Sequence, residues 1–237
     1  MTDGKKKLPE RSGSAGVADF LRKVAKTPVV KAATDRGRLI FAMDATASRE
    51  PTWESACQIQ ARMFEQTTAL GGLDIQLCYY HGQAGFSASP WLARPGDLKD
   101  RMSAVRCVGG MTQIGRVLRH ALGETARRKV NAVVFVGDCM EEPVDSLCRQ
   151  AAELGMRGVP VFVFQEGHDP VAEKAFRRIA GLSGGAYCPF DAGSARQLAD
   201  LLSAVAVYAA GGQRALEDLG RRQGGIAPKL LRQLRKD

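Results

Sequence analysis

Oxygen-bearing side chains follow the first long apolar run of the chain. Asp44, Thr46 and Ser48 stand at alternate positions directly after Leu39–Met43. On a tight turn, this spacing lets one carboxylate and two hydroxyls face a single point. Such oxygens are the ligands that hard divalent cations take in proteins. The segment therefore predicts part of a cation site.

Two later segments supply further oxygens. Asp138 follows the apolar run Ala132–Val136 and one glycine, and Thr112 follows a glycine pair and precedes an amphipathic stretch. If the apolar runs are parallel strands, their carboxyl ends meet at one sheet edge, where open α/β sheets bind ligands. We expect a site of two carboxylates and three hydroxyls, with no sulfur or imidazole nearby. Such a set favours Mg²⁺, with Mn²⁺ or Ca²⁺ as alternatives, over Zn²⁺ or Cu²⁺. The predicted metal residues are Asp44, Thr46, Ser48, Thr112 and Asp138.

Helix capping is the alternative interpretation of the hydroxyls. Thr112 precedes a helical pattern, and Ser48 lies just before Pro51, which is typical of a helix start. Glu141 and Glu142 are expected to be exposed first-turn residues favoured by a helix dipole rather than ligands.

Strand-like and helical patterns alternate from residue 38 onward, which predicts a doubly wound α/β sheet with helices on both faces. Three of the runs are continuously apolar, as in parallel strands buried on both faces. The segment 82–89 follows the second strand at hairpin distance and predicts a short antiparallel edge strand. The predicted strands are Leu39–Met43, Asp74–Tyr80, Ala132–Val136, Pro160–Gln165 and Ala186–Phe190, and the predicted helices are Thr52–Leu70, Ile114–Lys129, Val144–Arg157, Ala172–Leu182 and Ala195–Ala209.

The chain resembles a von Willebrand factor A (VWA) domain with an intact metal-ion-dependent adhesion site. The motif Asp-x-Ser-x-Ser has its counterpart in Asp44-Ala-Thr46-Ala-Ser48, with Thr in place of the first Ser, and the later Thr and Asp correspond to Thr112 and Asp138. The passage Ile179–Tyr187 is similar to the family's approach to its last strand. The resemblance covers about residues 38–209. It implies a mostly parallel six-stranded sheet with one antiparallel edge strand, in which the first and fourth strands are neighbours.

The same resemblance implies a function in protein binding. The ion would grip an Asp or Glu side chain of a partner protein, in a non-enzymatic adaptor or scaffold. Intracellular bacterial relatives often act as adaptors for AAA+ ATPases or as assembly factors, so a partner of that kind, or a co-assembled complex, is expected.

Three other functions agree less well with the sequence. A haloacid-dehalogenase-like Mg²⁺-dependent phosphatase would also begin with Asp44 at a strand end, but its general acid is an Asp where this chain has Thr46. A dinucleotide-binding enzyme would need a GxGxxG segment after the first strand, and none is present. A nucleic-acid-associated protein would have to use basic tails that lack interleaved aromatic residues.

The net charge of +9 lies at the two ends of the chain. Residues 1–38 carry ten basic and four acidic residues, 39–210 carry seventeen and eighteen, and 211–237 carry seven and three. We therefore divide the chain into a basic N-terminal extension (1–37), a VWA domain (38–210) and a basic tail (211–237). Val17, Phe20, Leu21 and Val24 predict a short amphipathic helix in the extension, packed on the body or docking a partner.

The signal-peptide, membrane-helix and cysteine patterns of the sequence limit the expected cellular location. The basic start lacks the apolar stretch of a signal peptide, and no apolar run reaches the roughly 20 residues of a membrane helix. The six cysteines form no CxxC pair and are expected to be reduced core thiols. Together these patterns predict a cytoplasmic protein.

Overall fold

A six-stranded sheet with the order β3-β2-β1-β4-β5-β6 organises the computed structural model. The structure describes residues 23–24, 36–49, 72–190, 200, 202–211 and 215. All neighbouring strands are parallel except the edge pair β2 and β3. The strands are β1 (Gly37–Asp44), β2 (Leu73–His81), β3 (Gly85–Ala88), β4 (Ala132–Gly137), β5 (Val161–Glu166) and β6 (Tyr187–Phe190).

Helices cover both faces of this sheet, as the sequence predicted. Alternate side chains of β1 point to opposite faces, since successive residues of a strand do so. Leu39, Phe41 and Met43 belong to one buried cluster, while Ile40 and Ala42 belong to the other. The helices are α1 (Pro95–Ser103), α2 (Ile114–Arg127), α3 (Val144–Met156), α4 (Pro170–Ser183) and a run over 202–211 that we label α5.

The two cores have different helical partners. The Leu39 side is closed by α1, through Leu98 and Met102, and by α5, which contributes Tyr208. The Ile40 side is closed by α2, α3 and α4, whose apolar stripes recur at helical spacing. All four described residues at the centre of β4, 133–136, are fully or almost fully buried. This explains why the central strands are apolar on both faces.

The resemblance placed the first and fourth strands side by side, and β1 indeed pairs with β4 from Leu39 opposite Ala132 to Met43 opposite Val136. The strand order therefore reverses at β1, which has β2 on one side and β4 on the other. In open α/β sheets the crevice at such a reversal is where ligands bind.

Some expectations lie outside the described residues. The helix over 52–70 is among them, as are almost all of both basic ends. Of the amphipathic N-terminal segment, Lys23 and Val24 are helical, and Val24 is fully buried in the core with Leu39. This burial agrees with the packing interpretation of that segment. No helix within the described residues is long and apolar enough to cross a membrane.

A buried ion pair closes the sheet edge opposite the carboxyl ends of the parallel strands. Nη2 of Arg38, at the start of β1, lies 3.2 Å from Oε2 of Glu124, and both side chains are less than a tenth exposed. Trp91 donates its indole N–H to the same oxygen at 2.7 Å, and the guanidinium of Arg38 lies 3.7 Å from the centre of the Trp91 ring. Trp91 therefore packs on the Arg38 guanidinium and holds the Glu124 carboxylate by a hydrogen bond.

Candidate metal centre

Asp44 is the last residue of β1, and both oxygens of its carboxylate accept hydrogen bonds. It is fully buried; its Oδ1 accepts a hydrogen bond from the backbone N–H of Thr46 at 2.8 Å, and its Oδ2 accepts one from the hydroxyl of Tyr80 at 3.0 Å. Tyr80 lies directly opposite Asp44 in the β1-β2 register. The carboxylate is therefore fixed in orientation. Sequence reasoning missed Tyr80, although its position at the end of the neighbouring strand was a usable signal.

Thr46 and Ser48 continue from Asp44 into a single 3₁₀ turn (Ala47–Arg49). Their hydroxyl oxygens share a hydrogen bond of 3.0 Å. Thr46 is buried, whereas Ser48 is exposed. The two predicted hydroxyls thus lie together, tied to Asp44 through the Thr46 amide.

Asp138 lies beside Asp44, as the adjacency of β1 and β4 requires. Ligand atoms of Asp44 and Asp138 lie within 4.8 Å of each other, and a methyl group built on Gly137 would stand 3.7 Å from the Asp44 Cβ. Oδ1 of Asp138 is buried and has no hydrogen-bond partner among the described residues. Because buried polar atoms are almost always satisfied, this oxygen indicates a missing positive or donor group. A divalent cation fits that requirement.

Thr112 is held in place by a reciprocal pair of hydrogen bonds. Its backbone N–H donates to Oε2 of Glu141 at 2.9 Å, and its hydroxyl oxygen accepts from the backbone N–H of Glu141 at 3.1 Å. The cap position of α2 is Gln113, without a side-chain cap. The capping interpretation of Thr112 is therefore wrong. Val108 donates its N–H to the carbonyl oxygen of Ala45 at 3.0 Å, which attaches this loop to the end of β1.

The two glutamates after Asp138 act on α2 rather than on the helix that follows them. Oε1 of Glu142 accepts from the N–H of Ile114 and Oε2 accepts from that of Gly115, the latter at 3.0 Å. Both residues precede α3, so the expectation that they lie in its first turn is wrong. Glu141 is exposed as expected, but Glu142 is half-buried. Their carboxylates supply the negative charge that a helix N-terminus favours, from a different loop.

Burial and charge repulsion disfavour the ionised form of Asp44. Burial raises the pKa of Asp44, and the nearby Asp138 carboxylate raises it further, while the hydrogen bonds from Thr46 and Tyr80 oppose this rise. The Asp138 carboxylate destabilises the charged form of Asp44 unless a cation lies between them. The electrostatics of the site thus also match a bound cation.

A sulfur atom lies at the site, contrary to the expectation of oxygen alone. Cys139 is half-buried, and its Sγ lies within 4.8 Å of ligand oxygens of both Asp44 and Asp138. Burial, together with the Asp138 carboxylate, raises the pKa of its thiol to about 12. The described cysteines form no disulfide bond, as predicted, and Cys78, Cys148 and Cys188 are buried. The signal was available in the sequence, because Cys139 directly follows Asp138.

The glycine pair before Thr112 offers a test of how closely this loop must pack. A methyl group on Gly110 would lie 2.0 Å from the carbonyl oxygen of Gly82, whereas one on Gly109 would meet nothing nearer than Ala47 Cβ at 4.0 Å. We expect Gly110→Ala to move the loop, to lower the melting temperature and to weaken divalent-ion binding. Calorimetric titration and thermal melts of Gly110→Ala and Gly109→Ala would check this. Equal behaviour of the two variants would contradict the close packing.

Known proteins match this chain in structure and not in sequence. No family model matches the sequence, and no curated protein does. Among solved structures, the VWA domain of SpRpn10 superposes with a TM-score of 0.57 at 13% identity, over 71% of this chain and 94% of that one. An aerotolerance-related membrane protein from Bacteroides fragilis superposes with a TM-score of 0.54 at 15% identity, over 70% and 98% of the two chains.

A third similar structure is of a metal-bound protein. It is proximal thread matrix protein 1 from the mussel byssus, described with a zinc-occupied metal-ion-dependent adhesion site, and it matches with a TM-score of 0.57 at 17% identity. The match covers 76% of this chain but 46% of that protein, so this chain spans less than half its length. At such identities the likeness concerns the fold. The sheet order, the antiparallel edge strand and these superpositions together show that the chain has the fold of a von Willebrand factor A domain.

Proposed function

We propose that this protein is a divalent-metal-dependent interaction module that binds an acidic side chain of a partner protein. The observation that carries the proposal is the buried, unpartnered Oδ1 of Asp138 beside the carboxylate of Asp44. A cation at this point would satisfy that oxygen and remove the repulsion between the two carboxylates. Asp44 and Asp138 would supply its charged ligands, and Thr46, Ser48 and Thr112 its neutral ones.

The open coordination of this set suits an acidic partner. Five protein oxygens, some of which can reach the ion through water, leave at least one of the six positions that Mg²⁺ prefers exchangeable, and an ion contacted partly through water keeps much of its charge. A Glu or Asp of a partner can take one such position in a charge-assisted contact. On this donor set Mg²⁺ is the first expected ion, with Mn²⁺ and Ca²⁺ as alternatives.

The surroundings of the site suit a protein partner. Val108 and Met111, in the loop that carries Thr112, are 47% and 53% exposed. Exposed apolar side chains next to a charged centre are typical of interface hot spots surrounded by polar residues. We take the function to be non-enzymatic and cytoplasmic, in an adaptor or a co-assembled complex, and an AAA+ ATPase is one partner consistent with it.

Affinity purification from the native cells tests the proposal. The wild type, Asp44→Ala and the surface control Asp145→Asn would be used as baits in Mg²⁺ and in EDTA. We expect the partner set of the wild type to be retained by Asp145→Asn and lost both with Asp44→Ala and in EDTA. Recovery of the same proteins by all three baits in both buffers would overturn the metal-bridge mechanism. It would leave the fold unaffected.

A further inference from the structure

We propose that Cys139 gives the metal centre a second coordination mode, in which borderline ions such as Zn²⁺ and Co²⁺ bind through its sulfur together with Asp44 and Asp138. This inference rests on the proposed metal site and specifies which ions it takes. Hard ions would use the oxygens alone, while borderline ions would recruit the thiolate.

The geometry of three donors supports this mode. Ligand atoms of Asp44, Asp138 and Cys139 all lie within 4.8 Å of one another. Donors around a single tetrahedral zinc, bonded at about 2.0–2.3 Å, lie about 3.5 Å apart. The three side chains therefore need to close by at most about 1.3 Å to reach tetrahedral donor separations.

The Cys139 thiol is hydrogen-bonded to the Asp138 side chain, so an ion held by Asp138 would lie within reach of its sulfur. Asp44 is fixed by Thr46 and Tyr80, so its position is set before any ion arrives. Asp138 has an unpartnered buried oxygen, and Cys139 is next to it in the chain. When the sulfur binds, its S–H bond breaks, a sulfur–metal bond forms, and the proton leaves to solvent. No electron is transferred, and the metal keeps its charge of +2.

The chemical preference follows from donor softness. Thiolates select zinc and related borderline or soft ions, whereas carboxylate, hydroxyl and water oxygens suit magnesium, calcium and manganese. A Cys139→Ser change keeps the size and the hydrogen-bonding capacity of the side chain but removes the soft donor. It should thus separate the two modes without disturbing the oxygens.

Cobalt spectroscopy and calorimetry on the full chain under reducing conditions provide the test. Co²⁺ added to the wild type should give a sulfur-to-cobalt charge-transfer band in the near ultraviolet. The band should persist in Cys107→Ser, which alters the other half-buried cysteine, and should be absent in Cys139→Ser and Cys139→Ala. Zn²⁺ affinity should fall at least about 10-fold in Cys139→Ser, since even outer-shell losses cost 10–100-fold. Mg²⁺ affinity should stay the same in all four proteins.

The outcomes separate this inference from the proposed function. A wild-type cobalt spectrum without the sulfur band, or a band that survives in Cys139→Ser, would overturn the sulfur mode and leave the oxygen site intact. Absence of Mg²⁺ uptake with a Cys139-dependent cobalt band would instead contradict the proposed magnesium site and support the sulfur mode. If neither ion binds, both are contradicted. Circular dichroism of each variant checks that a lost signal does not come from unfolding.

Discussion

Asp44→Asn should abolish divalent-ion binding and at the same time make the metal-free protein more stable. The carboxylate is fully buried and lies beside Asp138, so its charged form is disfavoured in the folded state. Asparagine keeps an oxygen for the Thr46 amide, and the Tyr80 hydroxyl can rotate to accept from the new amide group. The variant therefore removes an unfavourable charge without removing the local hydrogen bonds.

The expected sizes differ for the two effects. Loss of a charged ligand should weaken ion binding more than about 100-fold, beyond the 10–100-fold range known for outer-shell partners. An ion present at 100 times its dissociation constant stabilises a protein by about 2.7 kcal/mol, which in a chain of this size raises the melting temperature by about 5–10 °C. The wild type should show that rise, and Asp44→Asn should not.

The pH dependence of the same residue follows from the direction of its pKa shift. Since the folded state raises the pKa of Asp44, the metal-free protein bears the cost of its carboxylate at neutral pH. That cost disappears as the pH falls through the raised pKa and the group takes up a proton. Protons should therefore compete with the ion, and ion affinity should decrease toward acid pH.

Asp145→Asn is the control for these measurements, because Asp145 is a highly exposed residue of α3 whose carboxylate lies 3.5 Å from Arg178 and is not among the predicted ligands. It should bind ions and melt as the wild type does. Undiminished ion uptake by Asp44→Asn would show that the carboxylate is not a ligand. A metal-free variant less stable than the wild type would show that the charge is satisfied without an ion.

Glu124→Leu should cause the largest loss of stability of any change described for this chain. It leaves Arg38 buried without its ion-pair partner and removes the acceptor of the Trp91 indole N–H. Breaking a buried pair in this way costs about 3–5 kcal/mol. Urea unfolding of the variant would measure the loss. A companion change in an exposed pair, Glu153→Leu, should cost less than about 1 kcal/mol, because Glu153 and Arg157 are both 43% exposed.

A double variant tests the reason for the loss. Replacing Arg38 by Met together with Glu124→Leu removes both charges, so it should be more stable than Glu124→Leu alone. If the double variant is no better, the cost comes from packing rather than from the unpaired charge.

Acid pH should lower the free energy of unfolding of the wild type through this ion pair. Burial acts to raise the pKa of Glu124, but the hydrogen bond from Trp91 and the charges of His120, Arg127 and Arg38 outweigh it, so that the net pKa is lowered. The stability that this carboxylate supplies is present above its pKa in the unfolded chain. It is lost as the pH falls through the lowered pKa of the folded state. Glu124→Leu should accordingly flatten the acid limb of the stability curve.

The strands were predictable from sequence to within one or two residues. Leu39–Met43 became Gly37–Asp44, and Pro160–Gln165 became Val161–Glu166. The reason is physical, because a central strand buried on both faces must be apolar without interruption. The one described helix that was missed is α1, whose buried residues are Leu98 and Met102. Among its described side chains, one apolar pair at i, i+4 is too short a pattern to predict a helix from sequence.

Some residues of the candidate site could be predicted from the sequence and others could not. Asp44 and Asp138 could be predicted to meet, because both follow strands that the resemblance made neighbours. The contacts of Glu141 with Thr112 and of Glu142 with α2 could not be predicted, since they join positions almost thirty residues apart through loop geometry. Cys139 was overlooked for a different reason. Free cysteines are among the most buried residue types, so an isolated cysteine in sequence favours a core position over a ligand.

Glu141 and Glu142, which follow β4, connect the metal site to helix α2. Glu141 is fastened to Thr112, and Glu142 to the first amides of α2, so the segment carrying Asp138 and the start of that helix form one joint. A helix of fourteen residues is about 21 Å long, and near its other end Glu124 anchors it to Arg38. Through α2, the segment that carries Asp138 at one end of the strands is thus connected to the buried Arg38–Glu124 pair at the other end.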